Sequence, residues 1–595
     1  MPISRNILRR SSLLLCSAAL LGAASAQEGA TGEPAKESKL AAAPIPPIVI
    51  SPYAPADIPN GAPNADLTTA AVFAWQEFIA LSWPAYTSPR EAPDIAWPFG
   101  THATAGGPPL VWQTFRHKIE TFPAREPANV TVGLPAPQGY DPSKPSNGYD
   151  ASPAYFYVPS EVGTNDGSVL ACPGQAPATQ PVWVNLDEIT QIGLDQMFAG
   201  VLPSGVSGPN TAPQLIRFMA KGNRAQFNYV TDASRLAWFR SPWLQQAKAN
   251  FVNAVASGAP PQAPFVEFPA GTIEVKSAWR PLAPGEDPSR FHTTTVRFYE
   301  TSDNLPCYVD AQWALIALHI IQRTPSTPYF VFATFEQADN LLTASGQKVE
   351  DENGAIIAPQ ASPTEPTLFY LDLPASPIVL VSPFYPFGQG YCTSPGQRLF
   401  FHEIASNSAL PSGGDICVNQ RFHAIPPAIV NVNAAAHSAI IAYEQANRVT
   451  DSPWRYYKLV NVQAYPFDKS QIDYSNPDSP RGVSTFYQAN SVVETDYGLQ
   501  NFEGRLKNGA PTDYKPDGTY GFKNVYRYAQ SQPVGVDMGG CQGCHGNAQV
   551  GGTAFSFILD GNGFQPSPDR PTASVLAAAA KKFRERFAAP TEAAK

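Results

Sequence analysis

Apolar residues recur along the chain at two spacings, which separate predicted helices from predicted strands. Between residues 67 and 82 the apolar positions follow helical spacing, with Asp66 before them as a helix N-cap and Trp83-Pro84 at the end. The same spacing predicts helices at 186–198, 243–256, 428–447 and 572–587. Such helices bury one face, so we expect them to pack against a larger body.

Between these helices, alternating or fully apolar runs predict β-strands. Residues 272–282 and 292–300 alternate between apolar and polar positions, as strands with one buried face do. Residues 313–321 are almost wholly apolar, which is typical of a strand covered on both faces, and 329–335 follow after a turn-rich segment. Further β-like runs are 368–371, 378–381 and 456–464. The middle of the chain is therefore predicted to be mainly antiparallel β structure.

The N-terminus has the pattern of a secretory signal. Three arginines precede an apolar run at 13–24, and Ala24-Ser25-Ala26 is a small-residue cleavage signature. The run is too short for a stable transmembrane helix. No later segment has eighteen uninterrupted apolar residues, so we expect export to the periplasm or beyond, with cleavage near Ala26 and no transmembrane segment in the mature form.

Charge and cysteine content fit an exported protein. Removal of the three signal-peptide arginines changes the formal net charge from −9 to −12. An acidic chain without a basic stripe is a poor nucleic-acid binder. Cys172, Cys307, Cys392 and Cys417 are an even set, which in an oxidising compartment predicts two disulfides. Four cysteines allow three pairings, and only their short separation favours Cys392 with Cys417.

The segment Cys541-Gln542-Gly543-Cys544-His545 has the spacing that attaches a c-type haem. The two thiols can add across the haem vinyl groups, and the adjacent imidazole then reaches the iron from the proximal side. Glycines around the motif supply a backbone that can lie close to a flat cofactor. The sequence therefore predicts one covalently bound haem c, held by Cys541 and Cys544, with His545 as the proximal iron ligand.

Two other sites can contain a CxxC segment. A structural zinc site needs two further Cys or His ligands at short spacing, and none lies near Cys541. A thioredoxin-like pair needs a helix N-terminus after a βαβ pattern, which the glycine-rich surroundings do not suggest. Haem c is the interpretation that the sequence favours.

The combined pattern predicts an α+β, β-rich fold: a large, mainly antiparallel β body with peripheral helices and a C-terminal haem c attachment segment. The 62 prolines and 43 glycines indicate many turns and irregular connections. The leader is expected to be flexible or to lie on the surface, with ordered structure from Asp66 onward. The predicted regions are a signal peptide (1–26), a Pro/Ala-rich leader (27–65), an N-terminal α+β region (66–265), a β-rich central region (266–480) and a C-terminal haem c region (481–595).

A ligand for the far side of the iron must come from upstream of the motif if it comes from the protein. Fifty residues follow His545, and none is Met or His. Upstream candidates are Met197, Met219, Met538, His102, His117, His292, His319, His402, His423 and His437. Among them His319 lies inside an apolar strand, between Leu318 and Ile320.

Two interpretations of His319 stay open. A buried polar side chain needs a partner, which iron or a haem propionate would provide. A core histidine bonded to a backbone carbonyl or to an acid would satisfy the same requirement. His319 is therefore a candidate distal ligand or catalytic base.

Glu336 is the second candidate catalytic residue. It follows an apolar run in the strand after His319, so a hairpin could bring the two residues to one cavity. A carboxyl group beside a haem could move protons in peroxide or oxygen chemistry. A solvated carboxylate at a strand end, or an ion-pair partner, is the competing interpretation.

Several segments resemble a family of large exported bacterial proteins identified as cytochrome c family proteins with one haem and no defined substrate. The resemblance lies in residues 73–84 (FAWQEFIALSWP), in 313–340 around His319 and in 452–457 (SPWRYY). Those proteins also carry a single haem motif near the end, before a segment like 555–557. The resemblance spans most of the mature chain and implies haem c and export.

Two main classes of function remain at this point, with a third behind them. One is an electron-transfer cytochrome with six-coordinate iron and a redox partner protein. The other is a haem enzyme, such as a peroxidase or oxygenase, whose β body builds a pocket for a small-molecule substrate over an open iron site. The third is a haem sensor, for which no specific feature argues.

Overall fold

The structure is a computed structural model, and it describes only part of the chain. The described residues are 44–101, 103, 106–123, 147–189, 196–199, 214–232, 242–257, 261–283, 285–342, 347–358, 368–370, 379–381, 399–402, 416–418, 424–450, 452–465, 473, 475–476, 478–480, 482, 484, 490–493, 525–526, 535–536 and 540–559. The predicted signal peptide and the predicted helix at 572–587 lie outside them. From Ile45 onward these residues belong to one structural unit.

The described residues form α-helices and β-strands that are interspersed along the chain. The α-helices are α1 (Leu67–Leu81), α2 (Lys118–Thr121), α3 (Pro159–Val162), α4 (Arg224–Thr231), α5 (Pro242–Ser257), α6 (Pro427–Asn447) and α7 (Gly540–Val550). The strands are β1 (Arg116–His117), β2 (Leu170–Ala171), β3 (Val184–Leu186), β4 (Gln196–Ala199), β5 (Gln214–Leu215), β6 (Arg217–Gly222), β7 (Ile273–Arg280), β8 (Thr293–Ser302), β9 (Leu305–Thr324), β10 (Thr327–Gln337), β11 (Leu368–Tyr370), β12 (Val379–Val381), β13 (Leu399–His402), β14 (Ile416–Val418), β15 (Tyr457–Gln463), β16 (Val525–Tyr526) and β17 (Gly535–Val536).

A nine-stranded central sheet organises the fold. Its main path is β1-β6-β7-β9-β10-β15, and β8 extends it by pairing with the first half of β9. These pairs are antiparallel, whereas β2 with β9 and β3 with β8 are parallel. The predicted α+β, β-rich class with a large antiparallel sheet is therefore confirmed. Strands from both sides of residue 265 belong to this sheet, so the predicted boundary there falls within it.

One face of the central sheet, the helix face, is apolar. Val275, Leu318, Ile320, Ala333 and Phe335 point from β7, β9 and β10 into a core shared with α1 and α6. The helix α1 begins as predicted, with the Asp66 carboxylate accepting a hydrogen bond from the Thr69 amide at 2.8 Å. Burying these side chains stabilises the fold by about 2 kcal/mol for each large apolar residue.

The opposite face, the site face, carries polar residues between two apolar clusters. On neighbouring strands Lys276 pairs with His319, His319 with Thr334, and Thr334 with Asn461. We call these four residues the polar row. On one side of it an apolar cluster joins Ala278 and Ala317 to the small sheet of β4, β5, β13 and β14. On the other side Ile321 and Phe332 join a second cluster that includes α5 and the segment after α7.

Most predicted elements are confirmed, and two predictions are wrong. Leu186 and residues 196–198 lie in β3 and β4, so the predicted helix at 186–198 does not form there. Both segments are strongly buried and find strand partners, which overrides helical spacing. Order also begins before Asp66, because Ile58 and Ala62 are buried and the Ala62 amide bonds the Ser326 hydroxyl at 3.0 Å.

A disulfide links Cys172 to Cys307, at the point where β2 meets β9. This bond leaves Cys392 and Cys417 as the remaining pair of the predicted set. Cys392 lies outside the described residues, so the pairing of Cys392 with Cys417 stays a prediction.

Candidate haem attachment site

The helix α7 carries the whole Cys541–His545 motif. Positions 544 and 545 lie three and four residues after position 541 along the helix. Cys541 is half-buried at the edge of the apolar cluster that contains Phe332. All three motif positions therefore lie on one side of α7.

The His545 imidazole is oriented by a backbone carbonyl. Its Nδ1 lies 2.7 Å from the oxygen of Phe555, and a carbonyl oxygen can only accept, so Nδ1 carries the proton. In the neutral ring the lone pair is then on Nε2. Metal-bound histidines are commonly held in this way: one ring nitrogen binds the metal, and the other donates its hydrogen to a protein group.

Burial keeps this imidazole neutral. Desolvation lowers the pKa of His545 to about 4, the Phe555 carbonyl acts against this, and the charge of Lys276 lowers it further. An imidazole must be deprotonated to bind a metal, so at neutral pH no proton has to be displaced from Nε2. The donor set and the protonation state both fit a c-type haem.

Two aromatic rings flank His545. The centre of the Phe332 ring lies 4.6 Å from that of the imidazole, and the Phe557 ring lies 4.8 Å away. Phe332 belongs to β10, whereas Phe557 follows α7 and is partly exposed. Contact with two apolar rings removes part of the water around the imidazole and favours its neutral form.

Gln542 anchors α7 to the central sheet. Its backbone amide donates a hydrogen bond to the side-chain oxygen of Gln463 on β15 at 2.8 Å. Its side-chain amide nitrogen donates to the Phe330 carbonyl at 2.8 Å. The second residue of the motif is thus bound to two strands of the sheet. This attachment fixes α7 over the start of β10 and the end of β15.

His319 lies on the site face, in the polar row next to Lys276. Its neighbours Leu318 and Ile320 point to the helix face, which explains the apolar sequence around it. Desolvation lowers the pKa of His319 to about 3, and the charges of Lys276 and His545 lower it further. The two imidazoles are therefore near enough to influence each other, and His319 is neutral at physiological pH.

Lys276 connects the polar row to buried charges. Its Nζ lies 3.8 Å from a Glu188 carboxylate oxygen, and the other oxygen of Glu188 binds Lys118. Glu188 and Lys118 are buried, whereas Lys276 is about one-third exposed. A positive charge is thus held beside both His319 and His545.

Glu336 lies on the site face, two residues after Thr334 in β10. The Glu336 carboxylate accepts hydrogen bonds from the backbone amide of Ser491 at 2.5 Å and from the Ser491 hydroxyl at 2.9 Å. Glu336 is fully buried. The interpretation of Glu336 as a solvated strand-end carboxylate is therefore wrong. The hairpin places Glu336 and His319 on the same face of the sheet, because Thr334 pairs with His319 and Glu336 with Ala317.

Other ligand candidates have structural partners. His437 bonds Asn353 and the Tyr457 carbonyl, and His292 bonds the Ala103 carbonyl. His117 caps α2 and faces Asp187. Met197 and Met219 are buried in separate apolar clusters. His102, His423 and Met538 lie outside the described residues, and for His402 only the strand is described.

Sequence patterns did not single out three contributors to this site. Lys276 looked like an ordinary outward position of an alternating strand, and Gln542 is one of the two variable residues of the motif. The Phe555 carbonyl is a backbone group, which no side-chain pattern identifies. The alternation of 272–282 placed Glu274 and Lys276 on one face, and that was the only available signal.

Comparison of the chain with protein-family models, with curated proteins and with solved structures finds no match. In the part of the chain that the structure describes, no helix is long and apolar enough to span a membrane.

Proposed function

We propose that this protein is an exported monohaem c-type cytochrome with a redox function in electron transfer. The observation that carries the proposal is the state of His545: a neutral imidazole whose Nδ1 proton is bonded to the Phe555 carbonyl, on a helix that also contains Cys541 and Cys544. Cys541 and Cys544 would hold the haem, and His545 would be its proximal ligand.

Haem c would supply a one-electron Fe(III)/Fe(II) couple. The contribution of the chain is to orient the imidazole, to keep it neutral and to restrict water around it. His545 is held by Phe555, and the Phe332 and Phe557 rings cover its sides. Lys276 adds a positive charge near His545, and this charge disfavours protonation of the imidazole.

We assign His319 to the far side of the haem, as the candidate sixth ligand. Support comes from its place in the polar row, from its electrostatic coupling to His545 and from its low pKa, which keeps the ring in the form that binds metals. Two histidine ligands would favour a low-spin, electron-transfer haem.

Export agrees with this proposal. The predicted cleavage site near Ala26 and the Cys172–Cys307 disulfide both fit an oxidising compartment. The resemblance of residues 73–84, 313–340 and 452–457 to exported cytochrome c family proteins points the same way. The redox partner would be another protein, and we propose no role for nucleic acid.

The test is to produce the full chain in a host competent for cytochrome assembly. The mature protein should be coloured, heavier by the mass of one haem and resistant to haem extraction. The variant C541A/C544A should lose covalent haem, while C172S/C307S, which also removes two cysteines, should keep it. A colourless wild-type protein with the mass of its amino acids alone would exclude the proposal.

A haem enzyme with an open iron site is the second candidate. The observation in its favour is the polar row, because Lys276 and Thr334 flank His319 with hydrogen-bond donors. His319 would then act beside a bound substrate, with Glu336 one position further along the sheet. Carbon monoxide binding to the ferrous wild-type protein separates the two functions: rapid binding favours the enzyme, and a low-spin, unreactive spectrum favours the carrier.

A further inference from the structure

The turn that follows α7 has a strained backbone. Gly552, Ala554 and Phe555 have φ values of +88°, +51° and +66°. The left-handed region costs a residue with a Cβ about 1–2 kcal/mol, so Ala554 and Phe555 need compensating contacts. Gly552 has no such cost, and a Cβ there would lie 2.7 Å from Lys248 Cα on α5. We call residues 552–556 the proximal turn.

Local hydrogen bonds close the proximal turn onto α7. The Gly552 amide donates a hydrogen bond to the Gln549 carbonyl at 2.8 Å. The amide and the hydroxyl of Thr553 both donate to the Ala548 carbonyl at 2.9 Å. The Ser556 amide donates a hydrogen bond to the Thr553 carbonyl at 3.1 Å. These bonds define the shape of the turn, but all of them lie within the C-terminal segment.

Ser556 connects the proximal turn to the central sheet. Its hydroxyl donates to a carboxylate oxygen of Glu274 on β7 at 2.5 Å, across 282 positions of sequence, and both residues are buried. The same oxygen of Glu274 accepts a hydrogen bond from the Gln226 side chain of α4. Glu274 is therefore fixed from one side by α4, and it fixes Ser556 from the other.

The residue before Ser556 supplies the carbonyl that orients His545. A rotation of the strained Phe555 peptide would move that carbonyl away from Nδ1. We propose that Ser556 and Glu274 are positioning residues for the proximal histidine, and that their hydrogen bond holds the Phe555 carbonyl in place against the strain of the turn. This inference rests on the proposed haem function.

The bond between Nδ1 and a carbonyl determines how basic the imidazole is. A well-aligned carbonyl polarises the N–H group and increases electron donation from Nε2, which favours the ferric state. Loss of the Ser556–Glu274 bond should weaken that alignment. The reduction potential of the haem should then rise, because the ferric state loses stabilisation.

The central experiment compares S556A with wild type as purified holoproteins. Ser and Ala are both uncharged, and the comparison is made at a pH well above the pKa of Glu274, where its carboxylate is ionised in both proteins, so a change in potential reports alignment and not an altered charge. We expect the Fe(III)/Fe(II) equilibrium to shift about tenfold toward Fe(II), which equals about 59 mV for a one-electron couple. In an E274A background the S556A substitution should have no further effect, because the acceptor is already absent.

S326A is the matched control. The Ser326 hydroxyl donates to Asp57 at 2.5 Å in the turn after β9, so the substitution removes the same kind of bond elsewhere in the same sheet. It should lower the midpoint of urea unfolding but leave the potential of the haem unchanged. A potential of S556A equal to that of S326A, or equal shifts from S556A with and without Glu274, would overturn the inference.

The two proposals fail in different ways. If the wild-type protein carries no haem, the proposed function fails before any potential is measured. If haem is attached to Cys541 and Cys544 and S556A has the wild-type potential, only the role of Ser556 and Glu274 fails.

Discussion

His319 differs from the other buried histidines in what surrounds it. His292 and His437 bond backbone carbonyls and amide side chains, which is the usual arrangement of a core histidine. Burial lowers the pKa of His319, and the charges of Lys276 and His545 lower it further. Such a neighbourhood favours a neutral ring that can bind a metal.

Substitution of His319 tests whether it is an iron ligand. His319→Ala should convert a low-spin spectrum of the holoprotein to high-spin, and it should open the site to cyanide and carbon monoxide. His437→Ala is the control, since it removes a buried imidazole from the helix face of the sheet. If H319A and H437A both keep the wild-type spectrum, His319 is not in the coordination sphere.

Glu274 makes stability depend on pH. Burial raises the pKa of this carboxyl group to about 7 from 4.5, while the hydrogen bonds from Ser556 and Gln226 lower it. Between pH 4.5 and about pH 7 the folded protein keeps a proton on Glu274 that the unfolded chain releases. The free energy of unfolding should therefore fall as pH rises through this window, by up to about 3 kcal/mol from this group.

Glu274→Gln should remove that part of the pH dependence. We expect the stability of E274Q relative to wild type to increase by about 3 kcal/mol between pH 4 and pH 8, measured by urea unfolding. The control is Glu267→Gln, because the Glu267 side chain is nearly half exposed. Parallel pH profiles for E274Q and wild type would contradict the raised pKa.

At the scale of elements, local signals identified those helices whose ends have distinct chemistry. Asp66 at the start of α1 is such a signal, and α1, α5 and α6 all lie where they were predicted. The segment at 186–198 had only the spacing of its apolar residues. Spacing alone could not exclude strands, because its partners β8 and β13 are more than 100 residues away.

One residue that the sequence did not identify joins three elements on the helix face. Asn433 of α6 accepts a hydrogen bond from the Trp75 indole of α1 at 2.7 Å. Its amide donates to the Leu459 carbonyl of β15 at 2.9 Å, and its oxygen accepts from the Leu459 amide at 3.2 Å. Removing such a group leaves several buried donors and acceptors without hydrogen bonds.

Asn433→Ala should therefore lower the free energy of unfolding by about 2–4 kcal/mol. Asn447→Ala is the matched control on the same helix, because Asn447 is exposed and bonds only the Tyr443 carbonyl among the contacts that the structure describes. That substitution should cost less than about 0.5 kcal/mol. Equal losses for the two variants, measured by urea unfolding, would contradict the bridging role of Asn433.

At the scale of the whole molecule, the site depends on contacts between distant parts of the chain. The motif 541–545 and the fully apolar strand around His319 were recognisable in the sequence. The sequence did not show that the motif and this strand lie on one face of the sheet. That arrangement depends on the register of β7, β9 and β10 and on the attachment of α7 through Gln542 and Gln463. The hydrogen bond from Gln542 to the Phe330 carbonyl spans 212 positions, and a contact of that kind leaves no periodic signal in the sequence.

The Cys172–Cys307 disulfide is another such long-range contact, and it is the bond that the favoured pairing of Cys392 with Cys417 leaves to the other two cysteines. Its sequence separation is 135, and it holds β2 against the start of β9. A cross-link over so long a loop removes much conformational entropy from the unfolded chain. It should therefore contribute measurably to the stability of the whole unit.

C172S/C307S should lower the free energy of unfolding by about 2–5 kcal/mol while covalent haem is retained. The same experiment bears on Cys392 and Cys417. If these two also form a disulfide, a reducing agent should destabilise the C172S/C307S variant further, and non-reducing peptide mapping should recover the 392 and 417 peptides together. Unchanged unfolding of C172S/C307S relative to wild type would contradict the structural role of the first bond, since loss of the loop constraint must stabilise the unfolded chain.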